Sequence, residues 1–127
     1  MSEPGGQPRG CALVAEDDPL VQWAVRQTIE SLGYRVETAS TRDELLGRLF
    51  GGGVDLLVTS NALQRDDVTD IVRELRLYRH ETAVCVICER DSADEYRQKL
   101  PGSVLLEKPF ALEDLTQSVR QATTPES

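Results

Sequence analysis

Short runs of apolar and β-branched residues recur along the chain, and each has the length of a buried β-strand. Five such runs cover residues 11–15, 34–38, 54–59, 82–88 and 103–106. The third run follows three glycines and ends at Ser60. A short apolar run with such borders is typical of a strand that is covered on both faces. We therefore predict five strands, with residues 54–59 near the centre of the sheet.

Between these runs, apolar residues recur at the spacing of an amphipathic helix. The first helix is predicted to begin at Pro19, with Asp18 as its N-cap, and to stop at Gly33. The other predicted helices run from a cap at Ser40 or Thr41 to Phe50, from Asp66 or Asp67 to Tyr78, from Asp91 or Ser92 to about Leu100, and from Leu112 to Ala122. Residues 60–66 are predicted to form a loop. The alternation of strand and helix favours right-handed crossovers and a parallel sheet covered on both sides.

The ends of the chain lack this pattern. Residues 1–10 are polar, contain several glycines and prolines, and are predicted to be a disordered tail. One domain is predicted for residues 11–122, in keeping with a length of 127 residues. Residues 123–127 are predicted to be a tail or the start of a linker.

Charge and composition narrow the functional classes. The net charge of −8 argues against direct binding of nucleic acid by this domain. No stretch approaches the roughly 20 apolar residues that span a bilayer, and residues 1–10 lack the apolar segment of a signal peptide. The three cysteines have no framework spacing, which fits a reducing compartment. We expect a cytoplasmic protein with no membrane-spanning segment.

Candidate chemistry lies where the predicted strands end. In an open parallel sheet, functional groups sit just past the carboxyl ends of the central strands. Four of the strand ends carry such groups: Glu16 and Asp17, Ser60, Cys88, and Lys108. We expect these side chains to lie near one another.

Three segments resemble a known family. They are residues 13–20 (Leu-Val-Ala-Glu-Asp-Asp-Pro-Leu), 55–58 (Asp-Leu-Leu-Val) and 107–110 (Glu-Lys-Pro-Phe). They are similar to the receiver domains of bacterial two-component response regulators, and the similarity covers nearly all of residues 11–122. It implies an α/β fold with a five-stranded parallel sheet in the order 2-1-3-4-5, which is the flavodoxin-like type. In that family, a histidine kinase phosphorylates an aspartate at the end of the third strand.

The resemblance also implies roles for single residues. Glu16 and Asp17 fill the acidic pair that holds Mg²⁺ in the family, and Ala62 lies in the same pocket. Lys108 fills the position of the lysine that contacts the phosphate, and the peptide bond to the following Pro109 is commonly cis in the family.

Three positions depart from the family pattern. Ser60 stands at the position of the phosphate-accepting aspartate. Cys88 stands where the family has a threonine or serine, and Leu105 stands where it has an aromatic residue that moves when phosphate arrives. A carboxylate can attack phosphorus as it stands, whereas a serine hydroxyl needs a general base. The change at Ser60 also removes a charged oxygen ligand, so we expect Mg²⁺ to bind weakly or not at all.

These departures predict a receiver that has lost phosphorylation-driven switching, often called a pseudo-receiver. We expect a non-enzymatic signalling module without a cofactor, which docks a partner through its fourth helix, fifth strand and fifth helix. The partner is expected to be a fused output domain, a second copy of the chain or a separate protein. The alternative is a working receiver that depends on Mg²⁺ and accepts the phosphoryl group on Ser60 or on a nearby aspartate such as Asp66 or Asp67.

Other signals support weaker hypotheses. A flavodoxin-like cofactor carrier would need a phosphate-binding loop after the first strand, where three acidic residues stand instead. Cys85 and Cys88 match a C-x-x-C motif, but residues three apart on a strand point to opposite faces, which argues against a shared metal or disulfide. His80 is expected to cap a helix or to be solvated, and the arginines at 73, 76 and 79 to form a solvated stripe. Trp23 lies off the inner stripe of its helix, where it either covers the helix edge or anchors an interface.

Overall fold

The computed structural model describes residues 9–79 and 81–124. Its strands are β1 (Cys11–Ala15), β2 (Arg35–Ala39), β3 (Leu56–Ser60), β4 (Ala62–Leu63), β5 (Asp66–Asp67), β6 (Ala83–Glu89) and β7 (Val104–Lys108). Its helices are α1 (Pro19–Ser31), α2 (Arg42–Leu49), α3 (Thr69–Tyr78), α4 (Ala93–Lys99) and α5 (Leu112–Thr123), and a 3₁₀ turn (Arg90–Ser92) precedes α4.

The main sheet confirms the predicted fold class. Its five strands are all parallel and lie in the order β2-β1-β3-β6-β7. This is the predicted order 2-1-3-4-5, because β6 and β7 are the fourth and fifth of the predicted strands. The strand that ends at Ser60 lies at the centre of the sheet.

The predicted loop over residues 60–66 is wrong in detail. Ser60 is the last residue of β3, and the following segment forms a small antiparallel hairpin in which Ala62 pairs with Asp67. Its turn residues, Gln64 and Arg65, have φ values of 50° and 71°. This left-handed conformation is uncommon for residues other than glycine, so the local residue pattern does not indicate a hairpin.

Two apolar layers fill the space on either side of the sheet. One contains Leu13, Leu57 and Cys88 and is covered by α2, α3 and α4. The other contains Val14, Val58 and Cys85 and is covered by α1 and α5. Since successive strand residues point to opposite faces and both faces are covered, β1 and β3 are buried along their whole length.

Most predicted helix starts and stops are confirmed. Asp18 Oδ1 accepts hydrogen bonds from the backbone N–H groups of Leu20 and Val21, at 2.9 and 3.3 Å. Thr41 caps α2, and Gly33, with a φ of 102°, follows the end of α1. The predicted cap at Ser92 is wrong in one respect, because this residue precedes α4 but its side chain makes no capping hydrogen bond.

The α3 helix starts one residue later than a cap at Asp67 implies and two residues later than a cap at Asp66 implies. Its N-cap is Val68, which has no capping side chain. Asp67 nevertheless accepts a hydrogen bond from the backbone N–H of Thr69 at 2.6 Å. The acidic residue therefore satisfies the first N–H of the helix from one position further away.

The segments at the edges of the described chain also carry structure. The backbone N–H of Arg9 donates to Gly33 O, and that of Arg35 donates to Gly10 O, so residues 9 and 10 of the predicted tail lie beside β2. The rest of that tail, His80 and residues 125–127 lie outside the described residues. Within the described ranges, none of the helices has the length and apolar character needed to cross a bilayer.

Arg76 belongs to the arginine stripe that was predicted to be solvated, but its guanidinium donates to Thr82 O at 3.0 Å.

The positions of the cysteines lead to a first prediction. All three are buried, and Cys85 and Cys88 lie in different apolar layers, so they do not form a paired motif. Burial raises the pKa of Cys85 to about 12 and also raises the pKa of Cys88. Since only the thiolate reacts, we expect neither Cys85 nor Cys88 to react with an aromatic disulfide reagent at pH 8 until the protein unfolds. Rapid labelling of either residue in the native protein, located by peptide mass spectrometry, would contradict this.

Candidate functional site

The carboxyl edge of the sheet brings the candidate residues together. Ala15 at the end of β1 lies opposite Thr59, and Ser60 at the end of β3 lies opposite Ile87. At the same edge, Glu89 of β6 lies opposite Lys108 of β7. Glu16 follows β1 directly, so the sheet itself positions the acidic residues, Ser60 and the lysine.

A buried hydrogen-bonded pair forms the centre of this edge. Glu16 is 1% exposed and Ser60 is 3% exposed. The Ser60 hydroxyl donates a short hydrogen bond to Glu16 Oε1. The other carboxylate oxygen, Oε2, accepts from the backbone N–H of Asp18 at 3.0 Å. Both oxygens of Glu16 are therefore occupied by donors from this chain.

The backbone of Glu16 is fixed as firmly as its side chain. Its N–H donates to Ala39 O at 3.0 Å, and its carbonyl oxygen accepts from Gln22 Nε2 at 2.7 Å. The same Gln22 amide donates to Ser40 Oγ at 3.1 Å. These contacts tie the end of β1 to α1 and to the end of β2, so the carboxylate has little freedom to turn away from Ser60.

Asp17 is exposed and bonded to the hairpin. Its Oδ2 accepts from the backbone N–H of Gln64 at 2.6 Å, and this hydrogen bond is the main reason that the pKa of Asp17 is lowered. The positive charge of Lys108 lowers the pKa of Asp17 further. Asp17 is therefore an exposed anionic group beside the buried pair of Glu16 and Ser60, and it also stabilises the left-handed turn at Gln64.

Lys108 lies at the other side of the same edge. Its Nζ is 4.0 Å from Glu89 Oε2, across the β6–β7 pair. The peptide bond between Lys108 and Pro109 is cis, as the family resemblance implies.

The remaining sequence candidates lie around this pair. Ala62 is half-buried in β4, two residues after Ser60. Cys88 is fully buried in β6, and Leu105 of β7 is half-buried against the same apolar layer, on the side of α4. Cys88 and Leu105 therefore face α4.

Comparison with known proteins identifies the family. A family model described as the response regulator receiver domain matches residues 12–120. The chain belongs to the response regulator receiver domain family. It is a receiver domain of two-component signalling.

Relatives of this receiver domain include complete response regulators. Response regulator MprA of Mycolicibacterium vanbaalenii is 32% identical over 119 residues, which are 90% of this chain and 52% of the relative. Response regulator MprA of Mycobacterium tuberculosis strain H37Rv is 33% identical with the same coverage. The chain thus spans about half the length of the curated relatives it matches.

Solved structures agree with the fold. A response regulator receiver protein from Sinorhizobium medicae superposes with a TM-score of 0.80 at 25% identity, covering 89% of this chain and 93% of the other. The non-phosphorylated HemR receiver domain from Leptospira biflexa gives a TM-score of 0.80 at 20% identity, covering 95% and 98%. The second likeness bears on the fold alone.

The oxygen atoms at this edge of the receiver domain offer few anionic ligands for Mg²⁺ as they are arranged. Mg²⁺ requires near-octahedral oxygen coordination. Glu16 is occupied at both oxygens, Ser60 offers a neutral hydroxyl, and Asp17 is the remaining anionic residue of the predicted set. Among residues 9–79 and 81–124, no group of three or more acidic, histidine or cysteine side chains could hold a metal ion.

Sequence reasoning missed a second polar cluster beside the pocket. Asn61, which follows Ser60, donates from Nδ2 to the hydroxyl of Tyr96 at 3.0 Å. The Tyr96 hydroxyl donates in turn to Asp67 Oδ2 at 2.7 Å. One signal could have indicated the tyrosine: Ala93, Tyr96 and Leu100 recur at helical spacing and are all buried, so Tyr96 belongs to the inner face of α4.

Proposed function

We propose that this receiver domain is not phosphorylated at the usual position and signals by docking a protein partner in one dominant conformation. The observation that carries the proposal is the buried pair at the end of β3, where the Ser60 hydroxyl donates to Glu16. A neutral alcohol occupies the acceptor position, and its only proton is engaged by a carboxylate that the family uses for the metal.

The chemistry of the pocket supports this proposal in two steps. A hydroxyl must lose its proton to attack phosphorus, and a carboxylate is a much weaker base than an alkoxide, so it removes that proton poorly. The loss of the acceptor carboxylate also leaves a metal site with fewer charges and fewer ligands. We expect weak Mg²⁺ binding at most, no other cofactor and no enzymatic activity.

The two switch positions support the same proposal. Burial raises the pKa of Cys88, so this residue presents a protonated thiol, which is a weak hydrogen-bond donor for a phosphoryl oxygen. Leu105 has neither a ring nor a hydroxyl group that could rearrange between two positions. A phosphoryl group at residue 60 would therefore find no responding partner at either place.

The docking surface that we propose consists of α4, β7 and α5. Glu107 of β7 accepts from Arg97 of α4 at 3.0 Å and lies 3.7 Å from Arg90. Leu112 is half-exposed at the start of α5. A surface that carries both charged pairs and an exposed apolar residue suits a protein partner rather than a nucleic acid. An output domain is the first candidate partner, since the MprA relatives are about twice as long as this chain. The other candidates are a second copy of the chain and a separate cytoplasmic protein.

Acetyl phosphate tests this proposal. After incubation with acetyl phosphate and Mg²⁺, we expect intact-mass spectrometry to find no phosphoryl adduct, while a receiver with an acceptor aspartate, treated in parallel, becomes labelled. Stoichiometric phosphorylation of Ser60, Asp66 or Asp67 would refute the proposal. Hydroxylamine separates the outcomes, because it cleaves an acyl phosphate but leaves phosphoserine intact.

A second candidate function rests on the same hydrogen bond. Glu16 Oε1 already accepts the Ser60 proton and could act as the general base for phosphoryl transfer. In that reaction, Ser60 Oγ forms the new bond to phosphorus, the bond from phosphorus to the donor's leaving group breaks, and the hydroxyl proton passes to Glu16. This candidate predicts phosphoserine at residue 60 that disappears in a Glu16→Gln variant.

A further inference from the structure

The α4 helix has one buried polar anchor, in addition to the exposed contact between Arg97 and Glu107. It has seven residues, and no side chain caps its first turn. A helix of this length is not stable by itself, so tertiary contacts must hold it in place. Tyr96 is the residue that reaches from α4 into the interior, where it is 5% exposed.

The hydroxyl of Tyr96 joins α4 to both ends of the segment that follows β3. It accepts from Asn61 Nδ2 at 3.0 Å and donates to Asp67 Oδ2 at 2.7 Å. Among the described residues, these are the only side-chain hydrogen bonds between α4 and residues 61–69. Tyr96 is therefore the polar connection between α4 and the segment of residues 61–69 that follows β3.

Each partner of Tyr96 is itself held in place. The backbone N–H of Asn61 donates to Ile87 O at 2.9 Å, and its carbonyl oxygen accepts from Val68 at 3.0 Å. Asp67 Oδ1 accepts from the backbone N–H of Thr69 at 2.6 Å. The tyrosine thus binds to groups that are fixed to β6 and to the start of α3.

The charge states of Asp67 and Tyr96 strengthen the hydrogen bond between them. Burial would raise the pKa of Asp67, but hydrogen bonds from Thr69 and Tyr96 outweigh it, and the pKa is lowered. Burial raises the pKa of Tyr96. A neutral phenol therefore donates to a carboxylate at neutral pH, and such charge-assisted hydrogen bonds are stronger than neutral ones.

We infer that Asn61, Tyr96 and Asp67 form a latch that holds α4 against the pocket edge in one position. Cys88 and Leu105 lie on the same side of the sheet as α4, but they supply apolar packing and no directional bond. The latch explains how α4 keeps a fixed position without a phosphoryl group. Its consequence, a docking face that is always presented, rests on the proposed function.

Hydrogen–deuterium exchange tests the latch in the whole chain. Tyr96→Phe removes one oxygen and keeps the ring, so the variant should fold. We expect amide exchange in residues 93–99 and 61–68 to rise by about tenfold or more, because a hydrogen bond to a charged group is lost. Exchange in residues 11–15 and 56–60 should stay unchanged, which separates local opening from general destabilisation.

Two further variants make the test specific. Tyr78→Phe removes the hydroxyl of a tyrosine that is 72% exposed at the end of α3, and it should leave exchange in α4 unchanged. Asp67→Ala should also accelerate amide exchange in α4. In the double variant Asp67→Ala with Tyr96→Phe, the loss of protection in α4 should be smaller than the sum of the losses in the two single variants. Unchanged exchange of α4 in Tyr96→Phe, or the same increase in Tyr78→Phe, would overturn the latch. The phosphorylation assay reads covalent labelling of the chain and not amide exchange in α4, so the latch and the proposed function can fail separately.

Discussion

Replacing Ser60 by aspartate is expected to convert this domain into one whose stability depends on Mg²⁺. In the absence of metal, the new carboxylate would face Glu16 in a buried site, where the present hydroxyl donates a hydrogen bond. The change loses that bond and sets two like charges side by side, which we expect to cost about 3 kcal/mol. Mg²⁺ should restore much of the loss, since a ligand at about 100 times its Kd stabilises the folded state by about 2.7 kcal/mol.

Thermal unfolding with Mg²⁺ and with a chelator measures both effects. The unsubstituted protein should show the same Tm under the two conditions, whereas Ser60→Asp should gain several degrees with the metal. The double variant Ser60→Asp with Glu16→Gln is the matched control: it removes the repulsion, so it should be more stable than Ser60→Asp without metal and should respond less to Mg²⁺. A Tm of the unsubstituted protein that rises with Mg²⁺ as much as that of the variant would show that Ser60 does not weaken metal binding.

The sheet was predictable because its physical cause is visible in the sequence. Five apolar runs separated by helical patterns leave few arrangements other than a parallel sheet covered on both sides. The limits of β7 were less accessible. Glu107 and Lys108 are charged and looked like a loop, yet their backbones pair with Cys88 and Glu89 of β6. Backbone pairing does not depend on side-chain polarity. A prediction from the hydrophobic pattern therefore places the end of such a strand too early.

The hairpin after β3 shows a second reason for failure. Its left-handed turn at Gln64 and Arg65 lacks the glycine or asparagine that usually identifies such a turn. The compensating contact comes from Asp17, which lies 47 residues away and accepts the backbone N–H of Gln64. A contact between distant residues cannot be seen in a local pattern.

The candidate site was predictable only as a set of neighbours. Strand order alone placed Glu16, Ser60 and Lys108 at one edge, and the structure brings them to that edge. The direction of each hydrogen bond depends on side-chain rotamers and on the exact register. This is why the sequence did not indicate that Glu16 would be saturated by Ser60 and Asp18, or that Tyr96 would reach Asp67.

Removing the side chain of Glu16 is expected to be the second large effect. Glu16→Ala leaves the Ser60 hydroxyl without its acceptor, frees the backbone N–H of Asp18 and opens a cavity in a buried site. We expect a loss of about 2–4 kcal/mol in the free energy of unfolding. Glu16→Gln should cost less than about 1 kcal/mol, since its amide N–H can donate to the rotating Ser60 hydroxyl while its oxygen accepts from Asp18.

Denaturant unfolding of the two variants separates the contribution of the negative charge from the combined contribution of the hydrogen bonds and of the filled space. Glu37→Ala provides a surface control, because Glu37 forms an exposed ion pair with Arg48 at 3.2 Å and such pairs contribute about 0–1 kcal/mol. Equal losses for Glu16→Ala and Glu16→Gln would mean that the negative charge itself, and not the two accepted hydrogen bonds, stabilises this edge. A large loss for Glu16→Ala alone would mean that Glu16 stabilises this edge through its packing and its hydrogen bonds with Ser60 and Asp18, and not through its charge.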